Sequence, residues 1–220
     1  MAITLWRPTY DGSPPTWRVQ LVLAEKKLKA QEIAVSMDDK PEELLDINPR
    51  GNLPSLRDGY QSVFETNAII QYLDQAYPQP IALMPKRREA QGVALTRLNE
   101  VSNYLAATFV AVWRYKTTVA PESADPKRME ELVGALKLEW MRWEKYLECE
   151  GGLYLAGGAI SLADLSVFPY LASCVRHGLH LDTRYPRLSI AYQTIARRES
   201  VVTTWPASWK DTPAEPVFAD

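Results

Sequence analysis

The chain has 220 residues, of which 46% are hydrophobic, with seven tryptophans and a formal net charge of −2. That length and composition suit one large domain or two small ones with a real apolar core. No basic run exceeds Lys86-Arg87-Arg88 and no apolar run reaches the length of a membrane span, so neither nucleic acid nor a bilayer is expected as partner.

Ile3 and Leu5 alternate with Thr4 and precede Trp6, which predicts a short strand. A breaker-rich loop follows. Ser13 before Pro14 is an N-cap signal with proline at the first helical position. Trp17, Leu21, Ala24 and Leu28 then share one helical face. Lys26, Lys27 and Lys29 gather at that helix's end, where cations suit the helix dipole. Gln31 to Val35 predicts a second strand, parallel to the first because a helix joins them. Pro41 to Leu45 predicts a short helix. In the stretch Asn48–Thr66, Pro49 and Gly51 break the chain, Leu53-Pro54 opens an extended run, and Asp58-Gly59 signals a hairpin joining Ser55–Arg57 to Gln61–Phe64. Leu53-Pro54 is a candidate cis bond that turns the Leu53 backbone toward a ligand; an ordinary edge-strand proline is the plain alternative. Thr66, Ile69, Ile70, Tyr72 and Leu73 begin another helix, stopped by Tyr77-Pro78.

Residues 78–85 hold three prolines and predict a linker. Beyond them every strong signal is helical. Leu95, Leu98, Val101, Leu105, Phe109 and Val112 predict one long helix. Pro126 starts a second, with Leu132, Leu136, Trp140, Trp143 and Leu147 on its apolar face and Gly151-Gly152 at its end. Ser161 and Asp164 form a capping-box pattern before a helix that is apolar on most sides. Pro186 starts a further helix. The segment from Val201, with Trp205, Pro206 and Trp209, predicts no clear element. Cys149 and Cys174 show no CxxC pattern and read as free thiols in a reducing compartment. His177 and His180 lack a Cys or Glu cluster, so no metal is expected. With no basic-then-apolar leader at the start, a cytoplasmic location is the expectation.

Ser13 is the sharpest candidate for chemistry. A hydroxyl at a helix N-terminus stands beside free N–H groups and the positive end of the dipole, a place that stabilises an anion such as a thiolate. No cysteine of the chain is placed to be that thiol, so a ligand must bring it. The plain alternative is that Ser13 only caps its helix. Thr66 caps the next helix or leaves N–H groups for a carboxylate, Glu65 can accept from an ammonium group, and Lys40 can meet a second carboxylate. Each has a structural alternative as a cap or a surface charge. Together with the Leu53 backbone they complement a small zwitterionic thiol peptide such as glutathione.

The chain resembles the cytosolic glutathione transferases, an α/β thioredoxin-like domain followed by an all-α helical domain. Residues Ser13–Val19, Asn48–Pro54, Phe64–Leu73 and Ile160–Leu165 carry the resemblance, which spans essentially the whole sequence. The Ser-Pro-Pro-Thr-Trp-Arg-Val start with Asp-Ile-Asn-Pro-Arg-Gly is most similar to the rho class. The resemblance implies a glutathione-binding domain over residues 1–80 and a helical domain over residues 86–220 that forms the electrophile site. It implies Ser13 as the thiolate-stabilising hydroxyl, with Tyr10 as its rival. Lys40, Asn52, Leu53, Pro54, Glu65 and Thr66 would hold glutathione. Asn52 stands where the family often has Gln, and Thr66 where it usually has Ser; both keep a polar group. Tyr10, Phe109, Val112, Trp113, Tyr115, Trp205 and Trp209 could wall an apolar electrophile pocket, with core packing the alternative for each. Glutathione is co-substrate and no other cofactor is implied. The reaction would be thiolate attack on small hydrophobic electrophiles, a detoxification chemistry, in a homodimer. Two rivals follow. A non-catalytic binding protein of the same fold is one, disfavoured because no appended domain is seen. A thiol-disulfide or dehydroascorbate activity is the other, and serine in place of cysteine at position 13 argues against it.

Overall fold

The computed structural model describes residues 2–181 and 183–218. The chain divides into two compact units. One comprises the chain up to Pro85 together with Ile195–Pro213; the other comprises Lys86–Thr194 with the residues from Ala214.

In the first unit, β1 (Ile3–Pro8), α1 (Pro14–Glu25), β2 (Ala30–Val35), α2 (Glu42–Ile47), β3 (Ser55–Asp58), β4 (Gln61–Phe64) and α3 (Thr66–Ala76) follow in order. The sheet order is β2-β1-β3-β4. β1 and β2 are parallel, with Pro8 opposite Val35. The other pairs are antiparallel, with Trp6 opposite Ser55 and Ser55 opposite Phe64. Successive strand residues face opposite sides. Trp6 and Val35 therefore meet Leu44 and Ile47 of α2 on one face, while Leu5 and Leu56 lie fully buried on the other.

Two expectations change here. Lys26 is no dipole-complementing surface cation. Its side chain is fully buried and its ammonium pairs with Asp74 at 2.5 Å and donates to the Ile81 carbonyl at 2.5 Å. Asp74 also accepts from the Leu83 and Met84 amides at 2.8 and 2.9 Å. The segment expected as a linker is thus pinned to the first unit by a buried charge pair, with Leu83 fully buried.

The stretch from Val201 is also structured. It holds α9 (Glu199–Thr204) and, after a turn at Pro206, α10 (Ser208–Asp211). Both belong to the first unit, although the sequence places them with the helical part. The Arg198 guanidinium grips Glu25 through two hydrogen bonds of 2.6 and 2.8 Å, and the Ser200 hydroxyl adds a third at 2.6 Å. Burial raises the Glu25 pKa, but the Arg198 and Ser200 hydrogen bonds and the Arg198 charge outweigh it, so the net shift is downward. Trp17, Trp205 and Trp209 meet edge to face, with centroids 5.4 to 5.7 Å apart. Sequence periodicity carries no sign of these partners.

The second unit is helical: α4 (Arg88–Glu100), α5 (Ala106–Thr118), α6 (Pro126–Glu150), α7 (Leu162–Arg176) and the start of α8 (Pro186–Ala196). The expected single long helix is α4 and α5 joined by a π-helical turn, Val101–Leu105. α7 is buried on every side from Leu162 to Cys174. Its capping box is formed as the sequence predicts: Asp164 Oδ2 accepts from the Ser161 amide and hydroxyl at 2.8 and 2.7 Å, and Oδ1 accepts from the Leu155 amide at 2.7 Å.

Candidate functional site

The strand register brings the first unit's candidates to one end of the sheet. Pro8 ends β1 opposite Val35, so the loops 9–13 and 36–41 leave from the same end. β3 starts there at Ser55, just after Leu53-Pro54, and β4 ends there at Phe64, just before Glu65-Thr66. Ser13, Lys40, Asn52, Leu53, Pro54, Glu65 and Thr66 thus come from four loops on one edge.

Ser13 holds the N-cap position of α1, and its carbonyl accepts from the Trp17 amide at 2.9 Å. Its side chain makes no capping hydrogen bond. Pro14 and Pro15 have no N–H, so the first two donors of an ordinary helix start are missing. The hydroxyl is therefore a principal donor that this helix end offers an anion.

The loop before β3 is held from beneath. Asn48 is buried and donates from Nδ2 to the Asn52 carbonyl and Ser55 Oγ, both at 3.0 Å, while its Oδ1 accepts from the Arg50 amide at 3.1 Å. Ser55 Oγ donates to the same Asn52 carbonyl at 2.8 Å. Leu53 packs its side chain against the cluster of Trp6, Val35, Leu44 and Ile47. The Leu53-Pro54 bond is cis. Gly51 has φ +60°, and a Cβ there would stand 2.9 Å from Lys40 Cδ. The Lys40 side chain accordingly lies against Gly51, the residue before Asn52.

Glu65, not Thr66, occupies the N-cap of α3, with no side-chain capping bond; Thr66 is the first helical residue. Glu65 has φ +68°, a conformation that a non-glycine residue adopts at a cost. Its carboxylate is exposed. Asn67 in the first turn of α3 accepts from the buried guanidinium of Arg18 on α1. Sequence reasoning missed Asn48 and Arg18 as the groups that set these loops, because each is recognisable only through its distant partner.

Tyr10 is exposed in the loop before α1. Gly12, at φ +75°, lies so close to Trp209 that a Cβ there would stand 2.7 Å from the indole. Trp209 thus braces the loop that carries Ser13. A cleft of about 270 Å³ opens beside Ser13, lined by residues of the β1 end and the first turns of α1 and by Thr203–Ala207. In its wall Arg7 donates to Glu32 at 2.6 Å and Gln20 donates to Glu32 at 2.8 Å.

Phe109, Val112, Trp113 and Tyr115 belong to the second unit. Phe109 stacks on Trp113 with centroids 4.0 Å apart and meets Tyr170 edge to face at 5.1 Å. Trp113 in turn meets His177 at 5.2 Å. Val112 is fully buried, which makes it core. The Tyr115 hydroxyl accepts from the Asp125 amide at 2.7 Å and donates to its carbonyl at 3.2 Å.

Comparison with known proteins accords with this arrangement. Residues 8–81 match the family described as glutathione S-transferase, N-terminal domain, and residues 109–205 match glutathione S-transferase, C-terminal domain. Glutathione S-transferase A of Pleuronectes platessa is 35% identical over 92% of both chains. A crystal structure of a glutathione S-transferase from the Antarctic clam Laternula elliptica superposes with a TM-score of 0.83 and 32% identity, covering 97% of this chain and 96% of that one. Maleylacetoacetate isomerase of Rattus norvegicus is 25% identical over 94% of both chains. A four-stranded mixed sheet with its candidates on one edge, a helical second unit and these similarities together place the chain in the glutathione S-transferase family of enzymes.

Proposed function

We propose that this enzyme binds glutathione along the sheet edge and conjugates its thiolate to small hydrophobic electrophiles. Leu53 presents its backbone to the cysteinyl residue beside Pro54. Glu65 and Thr66 take the γ-glutamyl end, and Lys40 and Asn52 take the glycyl end. The Ser13 hydroxyl donates to the sulfur. A thiol of pKa about 8.5 is mostly protonated at neutral pH, and each 1.36 kcal/mol of preference for the thiolate lowers that value by about one unit. The thiolate then attacks the electrophilic carbon: an S–C bond forms, and a leaving group departs or the adduct takes up a proton. The observation that carries this reading is the Ser13 hydroxyl, set at a helix N-terminus and not used to cap it.

Further parts of the proposal are assignment to the rho class, a detoxifying role in the cytoplasm, a homodimer, and contact of the electrophile with Tyr10, Phe109, Trp113, Tyr115 and Trp209. The decisive experiment titrates the protein with glutathione while following thiolate absorbance, with Ser13→Ala alongside. A thiolate signal that the variant loses supports the assignment. A signal that survives removes Ser13 and makes Tyr10 the donor to test. Binding without turnover of any electrophile or of a maleyl-type isomerisation substrate would mark a binding protein.

A further inference from the structure

Arg18 on α1 is 2% exposed, and its guanidinium donates directly to Asn67 Oδ1 in the first turn of α3. Both helices belong to the first unit. An arginine stays charged in a protein interior, and a guanidinium has only donors, so the Asn67 amide must turn its oxygen toward it. The same residue is held through its backbone, since its carbonyl accepts from Gln71 Nε2 at 2.9 Å. Asn67 is thus fixed at side chain and main chain.

The place of this contact sets it apart. A helix N-terminus is the positive end of the dipole, where anions are favoured and cations are not. Arg18 brings a buried cation to that end of α3. The helix begins without a side-chain cap, and its first turn contains no acidic residue. The Ile69 amide donates to the Glu65 carbonyl at 2.9 Å and opens the helical ladder. The amides of Thr66, Asn67 and Ala68 precede that ladder. Glu65 holds φ +68° just before them, a conformation that persists only where its surroundings fix it. Guanidinium, dipole and leading amides act in one direction, so an anion that reaches this turn meets all three.

We propose that Arg18 is a positioning residue for the γ-glutamyl end of glutathione: it fixes Asn67 and sets a positive charge behind the first turn of α3, where the γ-glutamyl carboxylate binds. This rests on the reading of Glu65 and Thr66 as the γ-glutamyl site. The ammonium group of the same ligand end falls to Glu65, whose carboxylate is exposed. Arg18 therefore favours one of the two charges of the γ-glutamyl group and not the other.

The test is a calorimetric titration of wild type, Arg18→Met and Arg18→Lys with two peptides. One is S-hexylglutathione. The other is its decarboxy analogue, in which the γ-glutamyl carboxylate is replaced by hydrogen and the amine is kept. The hexyl thioether takes the thiolate, and with it Ser13, out of the comparison. The quantity read is the ratio of the two Kd values, which a merely structural loss does not move because it weakens both peptides alike. Arg18→Met is expected to raise Kd for S-hexylglutathione about 5- to 20-fold and to leave Kd for the decarboxy analogue within about twofold. Arg18→Lys keeps a cation and should retain the wild-type ratio within about threefold. If Arg18→Met does not fold, Asn67→Ala breaks the link to α3 and the same fall in the ratio is expected. A ratio unchanged in the variant, or lost as fully in Arg18→Lys as in Arg18→Met, overturns this inference alone. A wild type that binds both peptides equally overturns the γ-glutamyl assignment and this inference with it.

Discussion

Two serines stand at helix N-caps, Ser13 before α1 and Ser161 before α7. Ser161 is fully buried, and both its amide and its hydroxyl donate to Asp164. Asp164 closes the arrangement by accepting from the Leu155 amide as well. Ser13 is only half-buried, makes no capping bond and is followed by two prolines. Residue type and helical position are the same, yet one hydroxyl is closed into a network and the other is left open at a cleft. A polar group whose bonds are completed inside the chain contributes to architecture. One held in place but not completed is available to a ligand.

The sharpest way to break this contrast is Ser13→Ala. We expect kcat/KM with glutathione to fall about 10²–10³-fold, the size of losing one preorganised donor, while stability changes by less than about 0.5 kcal/mol because no cap is lost. A clear drop in thermal midpoint without loss of turnover would reverse the two roles. Lys26→Met probes a closed network in the first unit. It leaves Asp74 buried without its counter-charge, and should lower unfolding free energy by about 3–5 kcal/mol in a urea titration. Asp164→Ala strands the Leu155 and Ser161 amides, and we expect a loss of about 2–3 kcal/mol with kcat/KM per folded molecule unchanged. Arg198→Leu leaves Glu25 with Ser200 alone; about 1–2 kcal/mol is expected from the lost charged hydrogen bonds.

A further expectation is a pH dependence. Burial pushes the Asp164 carboxyl up to about 6, against the hydrogen bonds from Leu155 and Ser161 that pull it down. Relative to an unfolded value of about 3.9, its contribution to stability is fully present below that pH and is lost as pH rises toward 6. Glu25, whose carboxyl is held below its ordinary value, works in the opposite sense: its contribution is present above the unfolded value and is lost as pH falls. The two slopes partly cancel. Asp164→Asn should therefore make stability rise more steeply between pH 4 and 6, as measured by urea denaturation across that range.

Local pattern carried much of this into the sequence. The hairpin, the proline-started helices and the Ser161/Asp164 box depend on neighbours a few residues away, and each forms, although the hairpin loop is Gly59-Tyr60, one residue later than Asp58-Gly59, because Asp58 stays in β3 opposite Gln61. The features that differed depend on remote partners. Lys26 looks like a surface cation until Asp74 is placed beside it. Trp205 and Trp209 show no periodicity because what they serve is a contact with Trp17 and Gly12 far earlier in the chain. The π-helical turn at Val101–Leu105 hides inside an unbroken apolar repeat. At the candidate site, residue types suggested a ligand, but whether Ser13 caps its helix is a matter of hydrogen-bond geometry that composition does not encode.

The first unit is discontinuous along the chain, since Ile195–Pro213 completes it only after the whole run of helices from Lys86. A ribosome therefore releases the β-sheet and its four site loops long before it makes the segment that braces the Gly12–Ser13 loop. Until Trp209 emerges, Gly12 has no indole against it, and Glu25 lacks Arg198. Vectorial synthesis gives this unit no head start over its neighbour, and a nascent chain stalled before Ile195 would expose the Trp17 face of α1 to chaperones.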